Sequence, residues 1–129
     1  MGTPRTTNEV LRSHLAYRKY GDLEWDLRLN YASDVMLLST KGIHRGHDGV
    51  RYLAKRWRSG AEDASYTHVR LITQADVGML FRTDSDGPVK IIDCAESYVV
   101  HNGLITAQII HYSTNRSHRR WSRVNDGEP

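Results

Sequence analysis

Glu96 is the residue of this chain whose surroundings bear most directly on chemistry. It stands between Cys94 and Tyr98 in an alternating run, so Ile92, Cys94, Glu96, Tyr98 and Val100 share one strand face, while Asp93, Ala95, Ser97, Val99 and His101 share the other. If the Glu96 face is the inner one, the carboxyl is costly to bury charged, and desolvation raises its pKa. That suits a general acid, or a neutral donor to a substrate oxygen; a structural carboxylate bonded to a Tyr or His would sit in the same place. His14 shares a helical stripe with Val10 and Tyr17, with Leu11, Leu15 and Arg18 beside it. An imidazole there can act as base or donor and pair with Glu96, or fill the core as a satisfied histidine. His68, on a strand with Tyr66 and Arg70, ranks third. On the last alternating run, Gln108, Ile110 and Tyr112 oppose Ile105, Ala107, Ile109 and His111. Tyr17, Tyr98 and Tyr112 each carry an apolar ring with a polar tip, which lines a pocket or fills a core equally well.

Other chemistries find less support. His44 and His47 lie in one loop without a third ligand, so no metal site is expected. The lone Cys94 has no partner for a disulfide or a thiolate site, and no cofactor is expected. Of the net charge of +3, the segment from Thr114 to Pro129 carries +2 through Arg116, Arg119, Arg120 and Arg123 against Asp126 and Glu128. The remainder is near neutral. Its cationic cluster, Arg51, Lys55, Arg56 and Arg58, has the spacing of a solvated helix side, so nucleic acid is not an expected partner. No run approaches the roughly 20 apolar residues that cross a bilayer, and Met1 to Arg12 has no secretory apolar stretch. A cytoplasmic protein that does not engage membranes is the expectation.

The elements that must position these residues are legible in outline. At 129 residues the chain has room for one core. Thr6 followed by Glu9 has the form of a capping box and opens a helix to about Tyr20, which Gly21 closes. Asp22 caps a second helix, Leu23 to about Tyr31, with Leu23, Leu27 and Tyr31 four apart. Val35 to Ser39 reads as a strand, Ile43 to Arg45 as a short extended segment, and Gly46-His47-Asp48-Gly49 opens a third helix whose buried face is Val50, Leu53, Ala54 and Trp57. From Ser65 the period becomes strand-like, giving strands at about Ser65–Thr73, Val77–Thr83, Val89–His101 and Leu104–Ser113. Asn102-Gly103 marks a tight hairpin between the last two. Three helices before a long sheet make an α+β domain at 7–113, with an N-terminal extension at 1–6 and a basic tail at 114–129.

Five stretches carry a resemblance. Gly21-Asp22-Leu23-Glu24, Tyr31-Ala32-Ser33-Asp34-Val35 and Gly42 through Arg51, with Glu96 through Ile105 and Gln108 through Tyr112, resemble the nuclear transport factor 2-like superfamily in its SnoaL-like branch. The resemblance implies a cystatin-like, cone-shaped barrel of three N-terminal helices on a curved, mixed but mainly antiparallel sheet. It also implies a mostly apolar pocket and a homodimer through the outer sheet face. The Glu96 and Gln108 sets are assigned by it to the pocket, and the opposite sets, Ile105 included, to the outer face. Carried over position by position, the steroid-isomerase base falls on Ser39, the tyrosine on His14 and the acid on Glu96. The polyketide-cyclase Asp falls on Ile110. The Asp of the Asp–His dyad found in scytalone-dehydratase-like members falls on Lys19. No known catalytic set is reproduced whole.

The expectation is a small-molecule protein, leaning to an enzyme. It would carry out cofactor-independent acid/base chemistry of isomerase, dehydratase or cyclase type on a small, largely apolar, polyketide- or steroid-like molecule. Glu96, His14 and His68 are the catalytic candidates. Tyr17, Tyr98, Gln108, Ile110, Tyr112 and Trp57 are the substrate-lining ones. A non-catalytic ligand-binding or dimerisation domain of the same fold is the alternative.

Overall fold

The computed structural model describes residues 3–61, 65–86 and 91–114, with the backbone alone described at 56–61, 65–69, 82–86, 91–94 and 112–114. Helix α1 (Thr7–Tyr20) starts from a complete capping box: the Thr6 hydroxyl accepts from the Glu9 amide at 3.1 Å, and the Glu9 carboxylate accepts from the Thr6 amide at 2.8 Å. Gly21 ends it at φ 77, a conformation open to glycine without strain. Asp22 then caps α2 (Leu23–Asn30). Strands β1 (Tyr31–Ser39) and β2 (Gly42–Arg45) lead to α3 (Gly46–Ala61). Four long strands follow: β3 (Ser65–Gln74), β4 (Val77–Asp86), β5 (Ile91–His101) and β6 (Leu104–Thr114).

The six strands form one mixed sheet in the order β2-β1-β6-β5-β4-β3, with β2 and β3 at its edges. Only the β1–β6 pairing is parallel; the others are antiparallel. This parallel contact brings the chain's first strand into mid-sheet beside its last. The core lies where α1 and α2 meet the sheet, built from Val10, Leu11, Leu27, Val35, Leu37, Leu80, Val100 and Ile105. Gly78 on β4 makes room for α1, since a Cβ there would collide with Leu11 Cδ1.

Two expectations are corrected. Tyr31 is not the last residue of a helix; it opens β1, which begins four residues before the Val35 expected. Its register partner is Ile105, and the pairing shifts between Tyr31 and Met36, so alternation is broken across Ser33-Asp34. Ile105, assigned to the outer face, is fully buried in the core. A bulge is responsible: Val99 pairs with Ala107 but Val100 with Ile105, so Thr106 is extra and reverses the parity of β6 below it. On β3, whose facing the sequence leaves open, Arg70 and Ile72 are exposed, and Leu71 and Thr73 are the half-buried members. The tail residues 115–129 lie outside the described residues. No helix among the described residues is long and apolar enough to cross a membrane.

Candidate functional site

Buried polarity is concentrated in one place. Among the described residues the buried polar and charged side chains are Thr7, His14, Asp26, Asn30, Glu96 and Gln108, and all but Thr7 belong to one hydrogen-bonded chain between α1, α2 and the sheet. Helix α1 contributes His14 and, one turn later, Arg18; α2 contributes Asp26 and Asn30. Alternation on β5 turns Glu96 and Tyr98 to the same face, and the β5–β6 register sets Tyr98 opposite Gln108.

At one end of this chain Arg18 Nη1 donates to both carboxylate oxygens of Glu96, at 2.7 and 3.0 Å. Glu96 Oε1 also accepts from the Tyr98 hydroxyl and from Gln108 Nε2 at 3.1 Å. The Tyr31 hydroxyl donates to Gln108 Oε1 at 2.5 Å and thereby orients that amide. Tyr98 Oη lies 3.0 Å from His14 Nε2, and His14 Nδ1 lies 2.7 Å from Asp26 Oδ2. Asn30 Nδ2 donates to Asp26 Oδ1 at 2.9 Å. Tyr31 and Tyr98 pack edge-on against the His14 ring, with centroids 5.5 and 5.4 Å away. Because the single Tyr98 proton goes to Glu96, its oxygen is left to accept from His14 Nε2. The other ring nitrogen, Nδ1, is paired with Asp26, so the imidazole is held between the two partners.

Arg18 changes the sequence-based view of Glu96. Burial works against the charge of Arg18, but the charges of Glu96 and the hydroxyl groups of Tyr98 and Tyr31 outweigh it, and the guanidinium is held above the ordinary arginine range. A permanent cation gripping both oxygens favours the carboxylate form of Glu96. The neutral acid expected from desolvation alone left this cation out. The His14–Glu96 pairing considered from sequence is indirect, running through the Tyr98 hydroxyl. An Asp–His dyad is present although Lys19, the position carried over for it, is exposed; the Asp comes from α2.

The remaining candidates are placed as follows. Tyr17 is partly buried and joins none of these polar contacts. Ile110 stands opposite Glu96 in register and lines a cavity of about 240 Å³ with Leu38, Ser39, Thr40, Ile109 and His111. The side chains of His68, Tyr112 and Trp57 lie outside the described residues. His47 Nε2 donates to Tyr31 O, 3.1 Å away. No cluster of metal-ligand type occurs among the described residues. Asp26, Asn30, Arg18 and Tyr31 are the members that sequence reasoning missed. One signal was available: Leu23, Asp26, Leu27 and Asn30 follow the three-and-four spacing of a buried helix stripe, with two polar residues at core positions.

A larger cavity of about 460 Å³ lies between α2 and α3, lined by Glu24, Trp25, Leu27, Arg28, His47 and Arg51. Its charged groups are largely spent on one another: Arg51 is bonded to Glu24 at 2.8 and 2.9 Å and to Asp48 at 2.7 Å, and Arg28 lies over the Trp25 ring. The candidate site is therefore the buried cluster, whose polarity no solvent contact explains.

No protein-family model and no curated protein matches the chain. Solved structures match its fold. A Mesorhizobium loti protein provisionally named a SnoaL-like polyketide cyclase is 17% identical and superposes with a TM-score of 0.59, over 84% of this chain and all of that one. An NTF2-like protein from Burkholderia xenovorans LB400 is 16% identical over 90% of this chain and 96% of its own, with a TM-score of 0.68. TerC, co-crystallised with polyporic acid, is 17% identical over 88% and 95%, also at 0.68. A Xanthomonas campestris protein described by its cystatin-like fold, 13% identical, reaches 0.70 over 88% and 95%.

Proposed function

On the SnoaL-like, NTF2-like fold just established, we propose an enzyme of cofactor-independent acid/base chemistry, of isomerase, dehydratase or cyclase type. Its substrate is a small, largely apolar molecule bearing a carbonyl or hydroxyl. The observation that carries this reading is the continuous chain Asp26–His14–Tyr98–Glu96–Arg18 at the helix–sheet boundary. Burying two carboxyl groups, an imidazole and part of a guanidinium costs more than packing hydrocarbon in the same space, and buried ionisable groups bonded to one another in this way are found at sites of chemistry. Two of the structural neighbours are named for a polyketide cyclase and for a complex with polyporic acid, which fits a substrate of that class.

In this reading Glu96 is the base and the Asp26–His14 pair the acid. A proton leaves Tyr98 Oη for the substrate oxygen, His14 Nε2 returns one to Tyr98, and the neutral imidazole keeps its Nδ1 proton on Asp26. Gln108, Tyr17 and Ile110 are the substrate-lining candidates of this reading among the described side chains. Arg18, 27% exposed where Glu96 is 2%, marks the side of approach. A thermal-shift screen of small ketones, lactones and polyketide fragments identifies the ligand. With it in hand, Glu96→Gln abolishes turnover while affinity stays within tenfold, about 1.4 kcal/mol. Unchanged turnover removes Glu96 from the mechanism, and a ligand recovered chemically intact favours a binding domain.

The second reading, a dimerisation domain, is favoured by a different observation. Ile72, Met79, Val77, Val99 and Ile109 are exposed and lie side by side on β3 to β6 through the registers Ile72–Met79, Val77–Val99 and Met79–Ser97–Ile109. A second copy of the chain covering this face would bury it, with or without catalysis.

A further inference from the structure

Arg5 precedes the domain as the sequence delimits it, yet it is bonded to the buried cluster. Its Nη1 donates to Asn30 Oδ1 at 2.9 Å, and its Nη2 donates to Leu29 O at 2.6 Å and to Gly103 O at 2.9 Å. The hairpin turn is seated on this segment, since a Cβ at Gly103 would meet the Arg5 backbone nitrogen at 3.4 Å. The chain of donors and acceptors has only one consistent direction. Arginine has no acceptor, so Asn30 must offer Oδ1 to it, and the amide nitrogen then faces Asp26 Oδ1, 2.9 Å away. With that oxygen engaged, Asp26 presents Oδ2 to His14 Nδ1 at 2.7 Å, and His14 turns Nε2 to Tyr98. A flipped Asn30 would set its NH₂ against the guanidinium and its oxygen against the carboxylate, two repulsive contacts in place of two bonds.

We propose that Arg5 is a positioning residue for the acid end of the site: by fixing the Asn30 amide it keeps a donor on Asp26 and thereby sets the hydrogen bond that Asp26 makes with His14. The proposal rests on the reading of His14 as the proton-donating group. It links an exposed side chain near the N-terminus to a fully buried imidazole through two side chains of α2. An arginine serving only as a clamp on the Leu29 and Gly103 carbonyls would stabilise the fold without touching the state of His14.

The test reads the His14 Nδ1–H resonance in histidine-labelled protein by NMR. Replacing Arg5 by Met frees the Asn30 amide, Asp26 loses a donor, and its remaining bond from His14 shortens, so the resonance moves downfield. Arg5→Lys, which keeps a cationic donor toward Asn30 Oδ1, leaves it in place. Asn30→Ala reproduces the shift, and the double variant Arg5→Met with Asn30→Ala moves no further than Asn30→Ala alone. An unmoved resonance in Arg5→Met alongside a lowered melting temperature overturns the proposal, as do additive shifts in the double variant. Because the readout needs no substrate, it is separable from the enzymatic reading: shifts with no turnover on any ligand refute only the latter, and turnover with no shift refutes only the former.

Discussion

Tyr98 is the junction of the buried cluster, and its hydroxyl decides how the two charged pairs communicate. It donates to Glu96, accepts at 3.0 Å from His14, and lies 3.4 Å from Gln108 Nε2. Tyr98→Phe keeps the ring and its edge-on packing against His14 but leaves these polar groups without that partner. A destabilisation of about 1–3 kcal/mol is expected in equilibrium urea unfolding, the cost of stranding buried donors and acceptors. In a His14→Phe background the same change should cost less, because one of the stranded groups is already gone. Equal losses in both backgrounds would mean that the hydroxyl and the imidazole act independently.

At the scale of elements, what matters is how closely α1 is held to the sheet, since His14 and Arg18 reach their partners only if the helix lies down on β4 and β5. Gly78 permits that approach. In Gly78→Ala the added methyl meets Leu11, a side chain only 1% exposed and without open space to retreat into. Overpacking of this kind costs about 1–3 kcal/mol, which thermal unfolding would register. If the variant is as stable as the parent, Leu11 repacks freely and the helix is not held by this contact. The bulge at Thr106 acts on the same scale from the other side of the sheet. By reversing parity it turns Ile105 into the core while Gln108, farther along the strand, still faces Glu96. A strand of perfect alternation could not do both.

For the whole molecule, the open question is what meets the outer face of the sheet. Exposed Val77, Val99 and Ile109 form an apolar surface across three neighbouring strands, the kind of area that single soluble domains seldom leave bare. If a second copy covers it, Ile109→Asp buries an unpaired charge at the contact and shifts sedimentation from dimer to monomer, with unfolding of the monomer little changed. Sedimentation of the unmodified protein as monomer at all concentrations would leave this face uncovered by a second copy. The buried cluster lies on the opposite side of β5, so this variant and Glu96→Gln probe the two faces separately.

By itself the sequence determined what depends on near neighbours. The Thr6–Glu9 cap, the Gly21 stop, the Asp22 cap and the Asn102-Gly103 turn, with φ 51 and 78, are local, and so are most strand limits and the sharing of one face by Glu96 and Tyr98. Periodicity says which face a side chain takes; it does not say which side chain from another element arrives there. Arg18 and Glu96 are separated by 78 residues and His14 and Tyr98 by 84, and no local rule pairs them. Tertiary structure alone supplied the Arg18 cation paired with Glu96, the Asp26 partner of His14, the parallel seating of β1 against β6, and the bulge that sent Ile105 inward. Each is a long-range contact, set by how helices dock on a sheet rather than by what either element prefers alone.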